Sequence, residues 1–420
     1  MNARALARLK QDLSSFLGEI LQDVKLSQQR HWGQVYVRGL LLDGQRKSIE
    51  PLAARLKLID SDSRDVEQAL QQFINQSPWV AESVRGRLQT WIAEWKSRHL
   101  PLTQPFLILD DTGFPKQGKH SVGVTRQYTG TLGKVASCQV AVTLHYAVAE
   151  TTFCADAQLY LPEEWTSDRP RLQQAAVPEE IGHRSKWQIA LEMLAGTKAH
   201  GLQGIVLADS LFGSVTPFRE ALDAGGWKYC VGIDSTLVVV AGDADLGAVP
   251  AWTGVGRPPV RPAGVSGATK VLRTSVKRWA IERSKDFRVV MWREGSKGKM
   301  ANRFAAWRVR PAHKMASGRT PLSSCWLLVE WPEDAQGPTR FFFSNLPESI
   351  QLRELVRTAK ARWQIEMSYR ELKDELGFDH FEGRSWRGWH HHVTLVMLAY
   401  AFLMSQRRAL KKKASAQKTR

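Results

Sequence analysis

Apolar and polar residues change their rhythm three times along this chain of 420 residues, and each change predicts a different kind of element. Through residue 100 the apolar positions recur at intervals of three and four, as in "SIEPLAARLKLI" and "VRGRLQTWIAEWKSRHL". That is the spacing of one-sided helices, without β-branched alternation. From Pro101 the runs become strand-like: "FLILDD", "VASCQVAVTLHYAV" and "FCADAQLYLP", separated by breaks rich in Gly, Lys and Thr. A helical stretch "SKWQIALEMLAGTKAHG" follows, then the short apolar run "GIVLAD", a helix "TPFREALDAGG" and the run "KYCVGI". The predicted order is βββαβαβ. Residues 234–345 are rich in Gly, Pro, Val, Arg and Trp, with strand-like pieces "FRVVMW", "FAAWRVR", "SSCWLLVEW" and "TRFFFS"; they predict a β-rich insertion. Beyond them, "LRELVRTAKARWQIEMSYRELKDELG" predicts one long helix that stops at Gly377. The apolar run 393–404 is shorter than the ~20 residues of a membrane span and predicts a buried helix.

The expected organisation is therefore a helical N-terminal domain over 1–100, an α/β core in two parts, 101–233 and 346–406, and the β-rich insertion over 234–345 between them. The end, "RRALKKKASAQKTR", has no apolar periodicity and is expected to be a disordered basic tail over 407–420.

Composition narrows the function. Fifty-nine Lys and Arg against 41 Asp and Glu give a net charge of +18, which suits a polyanion such as nucleic acid. The N-terminal stretch lacks the uninterrupted apolar core of a signal peptide, so a cytoplasmic protein is expected, without a membrane partner. Cys138, Cys154, Cys230 and Cys325 lie too far apart in sequence for the usual zinc spacings and are expected to be reduced core thiols. Any metal is then held by oxygen.

The stretch "FLILDDTGFPKQGKHS" nearly reproduces a phosphate-binding loop at Gly113, Gly118 and Lys119. It fails in two ways. His120 stands where a Ser or Thr must bind magnesium, and the residues that follow are Gly- and β-rich instead of helical. The alternative is that Asp110 or Asp111 holds a metal, with Lys116, Lys119 and Arg126 meeting a nucleic-acid backbone. Alternation does not choose between the two acids, because a strand buried on both faces has no polar side. Asp209 ends an apolar run and would emerge at a sheet edge, where it could serve as a ligand or as a helix N-cap. At 100° per residue, Arg362, Glu366 and Lys373 fall on one helix face, while Ile365, Tyr369, Leu372 and Leu376 form an apolar ridge. An i, i+4 ion pair on a solvated face would explain the same pattern. His390, His391 and His392 are adjacent, so they point about 100° apart and cannot converge on one ion; His390 is expected at the DNA backbone or a helix end.

Taken together, "LDDTGFPKQGKHSVGVTRQYTGTLGKVASCQVAVTLHYA", "VLADSLFGS" and "RWQIEMSYRELKDELGFDHFEGRSWRGWHHH" resemble the three catalytic segments of DDE transposases of bacterial insertion sequences, in the branch with a Tyr-Arg-Glu-Lys signature. The resemblance spans most of residues 101–403. It implies an RNase H-like catalytic core and Asp111, Asp209 and Glu366 as catalytic acids holding two Mg²⁺ ions, for which Mn²⁺ can substitute. Asp111 is favoured over Asp110 because the family's Asp is commonly followed by Thr, here Thr112. Arg362 and Lys373 would bind phosphate beside the scissile bond. The implied activity is cleavage of the element's terminal inverted repeats and strand transfer into target DNA, through hairpin ends in this branch, by a homodimer in the synaptic complex. A bacterial, nucleoid-associated location goes with it. The helical domain over 1–100 would bind DNA, and Trp279, Trp292, Trp307 and Trp326, core residues by default, are the candidates in the insertion for stacking on a flipped base, as an aromatic of this branch can. The signature's Tyr is replaced by Ala359. An inactive DNA-binding derivative and a purely hydrolytic nuclease of the same fold are the alternatives.

Overall fold

The first hundred residues fold into the helices that their spacing predicts: α1 (Ala3–Ile20), α2 (Ser27–Leu41), α3 (Ile49–Lys57), α4 (Val66–Asn75) and α5 (Ala81–His99). They belong to a computed structural model that describes residues 3–57, 65–243, 251–256, 273–295, 298–312 and 323–418. Each helix buries one stripe, such as Leu13, Phe16, Leu17 and Ile20 of α1. The helices do not form a unit of their own. Residues 1–204 and 363–420 make one compact unit, and residues 205–362 a second.

In the first unit, β1 (Phe106–Pro115), β2 (Thr125–Thr129), β3 (Lys134–Val148) and β4 (Thr151–Tyr160) follow α5. The long strand β3 pairs antiparallel with each of the other three. Its run from Cys138 to Val148 is buried throughout, as a central strand with both faces covered must be. Short helices α6 (Glu163–Thr166) and α7 (Arg169–Gln174) lead to α8 (Lys186–Ala199), whose first turn is closed by a capping box of Ser185 and Gln188.

The second unit opens with β5 (Ile205–Ala208), α9 (Ser210–Gly213), α10 (Thr216–Ala224) and β6 (Tyr229–Ile233), a right order for two parallel strands with a helical crossover; β5 and β6 are indeed parallel. It continues through β7 (Val238–Ala241), β8 (Thr274–Ser275), α11 (Val276–Glu282), β9 (Arg288–Gly295), β10 (Gly298–Pro311), β11 (Cys325–Trp331), β12 (Arg340–Ser344) and α12 (Leu352–Lys360). The β-rich block expected over 234–345 is not separate: β12 pairs antiparallel with β6, and β11 and β10 extend the same sheet. The expected border at residue 233 therefore falls inside one sheet. Lys360 fastens α12 to it through Glu330, 2.5 Å away and almost fully buried.

The chain re-enters the first unit through a segment that sequence spacing predicts as one continuous helix. It is broken: a 3₁₀ turn at Ala361–Trp363, then α13 (Gln364–Arg370), then a π-helical stretch at Glu371–Glu375. A constant 100° step does not run through such a segment, so the expected grouping of Arg362, Glu366 and Lys373 on one helix face does not hold as geometry. The predicted stop does hold. Gly377 has φ of 69°, and its amide donates to the carbonyl of Lys373, as in an αL ending.

The final helix α14 (Trp386–Lys418) explains why the N-terminal helices share a unit with the strands. Residues 393–402 are buried without a break, and α14 packs against α2, α4, α5 and β4. It also carries the expected disordered tail as helix up to Lys418. A buried helix supplies the costly nucleus, and Arg, Lys and Ala propagate it at little cost. Among the described residues no helix is long and apolar enough to cross a membrane. All four cysteines are buried and free.

Candidate catalytic site

Strand β1 brings three buried aliphatic residues, Leu107, Ile108 and Leu109, up to Asp110 and Asp111, which are both half-buried. On β3 the residues opposite are Thr143 and Val142. The Asp111 carboxylate is held by Lys186, the first residue of α8, with Nζ 2.5 Å from Oδ2. Two residues further along β1, Gly113 is where strand, hairpin and final segment meet. Its carbonyl accepts from Thr131 Oγ1 at 3.0 Å and from Lys373 Nζ at 3.1 Å. A Cβ there would lie 1.9 Å from Thr129 Oγ1. The glycine of the near-miss phosphate loop is thus required by close packing inside a strand.

Helix α13, which bears Glu366, is tied to this strand pair by another of its faces. Ile365, Leu372 and Leu376 are buried, as the apolar ridge predicts. Tyr369, of the same ridge, turns its hydroxyl to Thr143 Oγ1 at 2.5 Å, next to the Asp110 carbonyl. Burial and the nearby negative charge of Asp110 push the Tyr369 phenol well above its ordinary value, so it stays protonated. Glu366, three residues before it, is exposed. Lys373 reaches Thr131 Oγ1 at 2.9 Å as well as Gly113, and burial lowers its pKa. Both lysines were set by different signals: the spacing of the signature pointed to Lys373, whereas a Lys at the start of a helix gave no reason to single out Lys186.

The family follows from comparison with known sequences. The model of the DDE superfamily endonucleases matches residues 19–299, about two thirds of the chain. This chain belongs to the DDE superfamily endonucleases. It is also 33% identical over 204 residues to the probable transposase for insertion sequence element IS701 of Microchaete diplosiphon. That alignment covers 48% of this chain and 48% of the relative, so the chain spans about half the length of the curated protein it matches. The DDE match includes Asp110, Asp111, Lys186 and Asp209 and ends before Glu366.

For a DDE endonuclease the remaining expected residues divide by position. Asp209 belongs to the second unit, where it follows β5 and caps α9, accepting from the Leu211 amide at 3.0 Å. The N-cap alternative is therefore real, although one carboxylate oxygen serves it. Arg362 closes the second unit, on the 3₁₀ turn. Lys119 and Arg126 are exposed. Lys116 is not free for a backbone: its Nζ donates to the carbonyl of Phe381 at 2.5 Å, and burial lowers its pKa. His390 does not reach DNA either. It is 6% exposed, with Nδ1 bonded to the Trp386 carbonyl at 2.9 Å, because it lies on the inner face of a helix covered on all sides. The four tryptophans are engaged. Trp279 is buried under the Arg283 guanidinium at 3.7 Å, Trp292 lies edge-on to Phe304, Trp307 donates to Asp286 at 2.7 Å, and Trp326 donates to the Pro347 carbonyl at 3.2 Å. Ala359, at the signature's Tyr position, is buried in α12.

Among the described residues, no three His, Cys, Asp or Glu side chains stand together as a ready cage for an ion. A magnesium site does not require one, since Mg²⁺ takes one or two carboxylates and completes its shell with water and substrate phosphates. The donor chemistry fits: Asp110, Asp111 and Glu366 offer hard oxygens, and Asp111 already has a cation, the Lys186 ammonium, against it.

Proposed function

We propose that this DDE endonuclease is the transposase of a bacterial insertion sequence, cutting the ends of its element and joining them to target DNA. The observation that carries the reading is a half-buried carboxylate, Asp111, on a strand whose neighbour β3 also receives the helix bearing Glu366 through Tyr369 and Thr143. Asp111, Asp209 and Glu366 would hold divalent cations, Mg²⁺ or Mn²⁺, which supply an activated water and stabilise the leaving oxygen. The chain's own residues do the rest. Lys373, already fixed to Gly113 and Thr131, would hold a phosphate beside the scissile bond, and Arg362 would fork onto its oxygens. The exposed Lys119 and Arg126, with the net charge of +18, would draw the DNA backbone in. Hairpin ends and a two-chain synaptic complex follow from the resemblance to the Tyr-Arg-Glu-Lys branch; two element ends processed together call for at least two triads. Such a protein works where the bacterial chromosome is.

The test is incubation of the purified chain with labelled element ends and Mg²⁺. Joined products are expected, and Asp111→Asn, Asp209→Asn and Glu366→Gln should each abolish cleavage while leaving salt-sensitive DNA binding largely intact. Cleavage without joining would make the protein a hydrolytic nuclease, and binding without cleavage an inactive derivative. In mixtures with Glu366→Gln chains, activity should fall roughly as the square of the wild-type fraction; a proportional fall would refute the two-chain assembly.

A further inference from the structure

Lys186 stands against the candidate catalytic acid, and neither the sequence pattern nor the family match gives it a part. Its Nζ lies 2.5 Å from Asp111 Oδ2, and the two side chains are 22% and 25% exposed, so water still reaches the pair. Helix energetics do not account for the position. Lys186 is the first residue of α8, where a positive charge opposes the helix dipole, and the capping box of Ser185 and Gln188 already closes that turn. Packing is not the reason either, because the ammonium passes over the Tyr160 ring at 5.4 Å and ends on the carboxylate. Asp111 is what this Lys serves.

We propose that Lys186 is the built-in counter-ion of Asp111: a positioning residue that holds the carboxylate in the metal-free protein and competes with a divalent cation for it. This rests on Asp111 being a metal ligand, as proposed above. Two cations cannot share one carboxylate without repulsion, so metal binding and the Lys186 contact exclude each other in proportion to their charges. The four-carbon stem lets the ammonium turn away easily, and the nearest polyanion available to it is then the DNA backbone. A phosphate that takes up Lys186 leaves Asp111 to the metal. By linkage, DNA must raise metal affinity through this residue, and metal must raise DNA affinity equally.

The experiment measures Mn²⁺ binding by the full chain, by titration calorimetry or paramagnetic resonance, with and without a short DNA duplex, for wild type, Lys186→Met, Lys186→Arg and Asp111→Asn. Without DNA, Lys186→Met should bind Mn²⁺ about tenfold more tightly than wild type, the scale of one like charge removed from a half-exposed site. Lys186→Arg should stay close to wild type. DNA should tighten Mn²⁺ binding in wild type and do so much less in Lys186→Met. Thermal melting in chelator should fall for Lys186→Met and recover in Lys186→Arg. Equal Mn²⁺ affinity in wild type and Lys186→Met, with binding lost in Asp111→Asn, would overturn the counter-ion role and leave the metal site standing. Binding unaltered by Asp111→Asn would overturn both.

Discussion

Three adjacent histidines are expected to point apart, and the structure uses the divergence: one bonds within α14, and the other two tie the helix to other segments. His390 Nδ1 meets the Trp386 carbonyl one turn back. His391 stacks on Trp79 at 3.7 Å between ring centroids and faces the carbonyls of Ile74 and Trp79. His392 joins the Tyr36 hydroxyl to the Gly377 carbonyl, each at 2.8 Å. A neutral imidazole does this naturally, one nitrogen accepting from the phenol and the other donating to the carbonyl. Burial depresses the pKa of His391 and His392 to about 4, and that of the unpartnered His145 to about 3. The unfolded chain therefore binds protons that the folded chain refuses between about pH 4 and 6.5, and stability must fall as pH falls through that window. Between pH 7 and pH 5 each such imidazole costs about 2 kcal/mol. Asp156, raised by burial, pulls the other way over a range that begins at 3.8. Urea unfolding at pH 7 and pH 5 checks the sum: a clearly lower midpoint is expected at pH 5, and His392→Asn should flatten the dependence. An unchanged midpoint would contradict the buried neutral state.

At the scale of elements, the strands β1, β3 and β4, the helix α8 and the turn into β5 follow closely from apolar periodicity and breaks. β2 was not legible, because "TRQYT" carries too few apolar residues to stand out from the hairpin around it. The interruption between α12 and α13 was not legible either. A 3₁₀ turn and a π-stretch use the same helix-forming residues as an α-helix, and the segment's ties to Thr143 and Gly113, through Tyr369 and Lys373, lie more than 200 residues away in sequence. Where backbone geometry demands a particular residue, the sequence does speak, as at Gly377. An added Cβ there would meet Lys47 Cβ at 2.5 Å in a conformation of φ 69°. Gly377→Ala should cost about 2 kcal/mol or more and lower the melting temperature by several degrees. It should also loosen Lys373, four residues upstream, whose carbonyl accepts from the Gly377 amide. A variant that melts like the wild type would show that Lys47 yields without cost.

At the scale of the whole chain, composition marks where residue types change but not which segments share a core. The shifts near 101 and 234 are real in the sequence, yet β12 pairs with β6 across one of them, and α14 packs on the helices before the other. Asp111, Asp209 and Glu366 stand out in the sequence as a candidate set because their types and order are specific. Lys186 was invisible because its meaning depends on a strand 75 residues away in sequence. The interleaved order of the two units, residues 205–362 between the halves 1–204 and 363–420, has a consequence for how the protein is made. During synthesis the first half leaves the ribosome without α14 and waits, at ~5–20 residues per second, roughly 10–40 s for it. For that time the faces of α2, α4, α5 and β4 that will cover residues 393–402 are bare. A chain ended before Trp386 should consequently be found in the insoluble fraction or bound to chaperones, whereas one ended after Ala409 should stay soluble; equal solubility of the two would mean that the first half folds without its closing helix. Every translation interrupted before α14 then yields a discarded chain, so the first unit is complete only once residues 393–402 have been made.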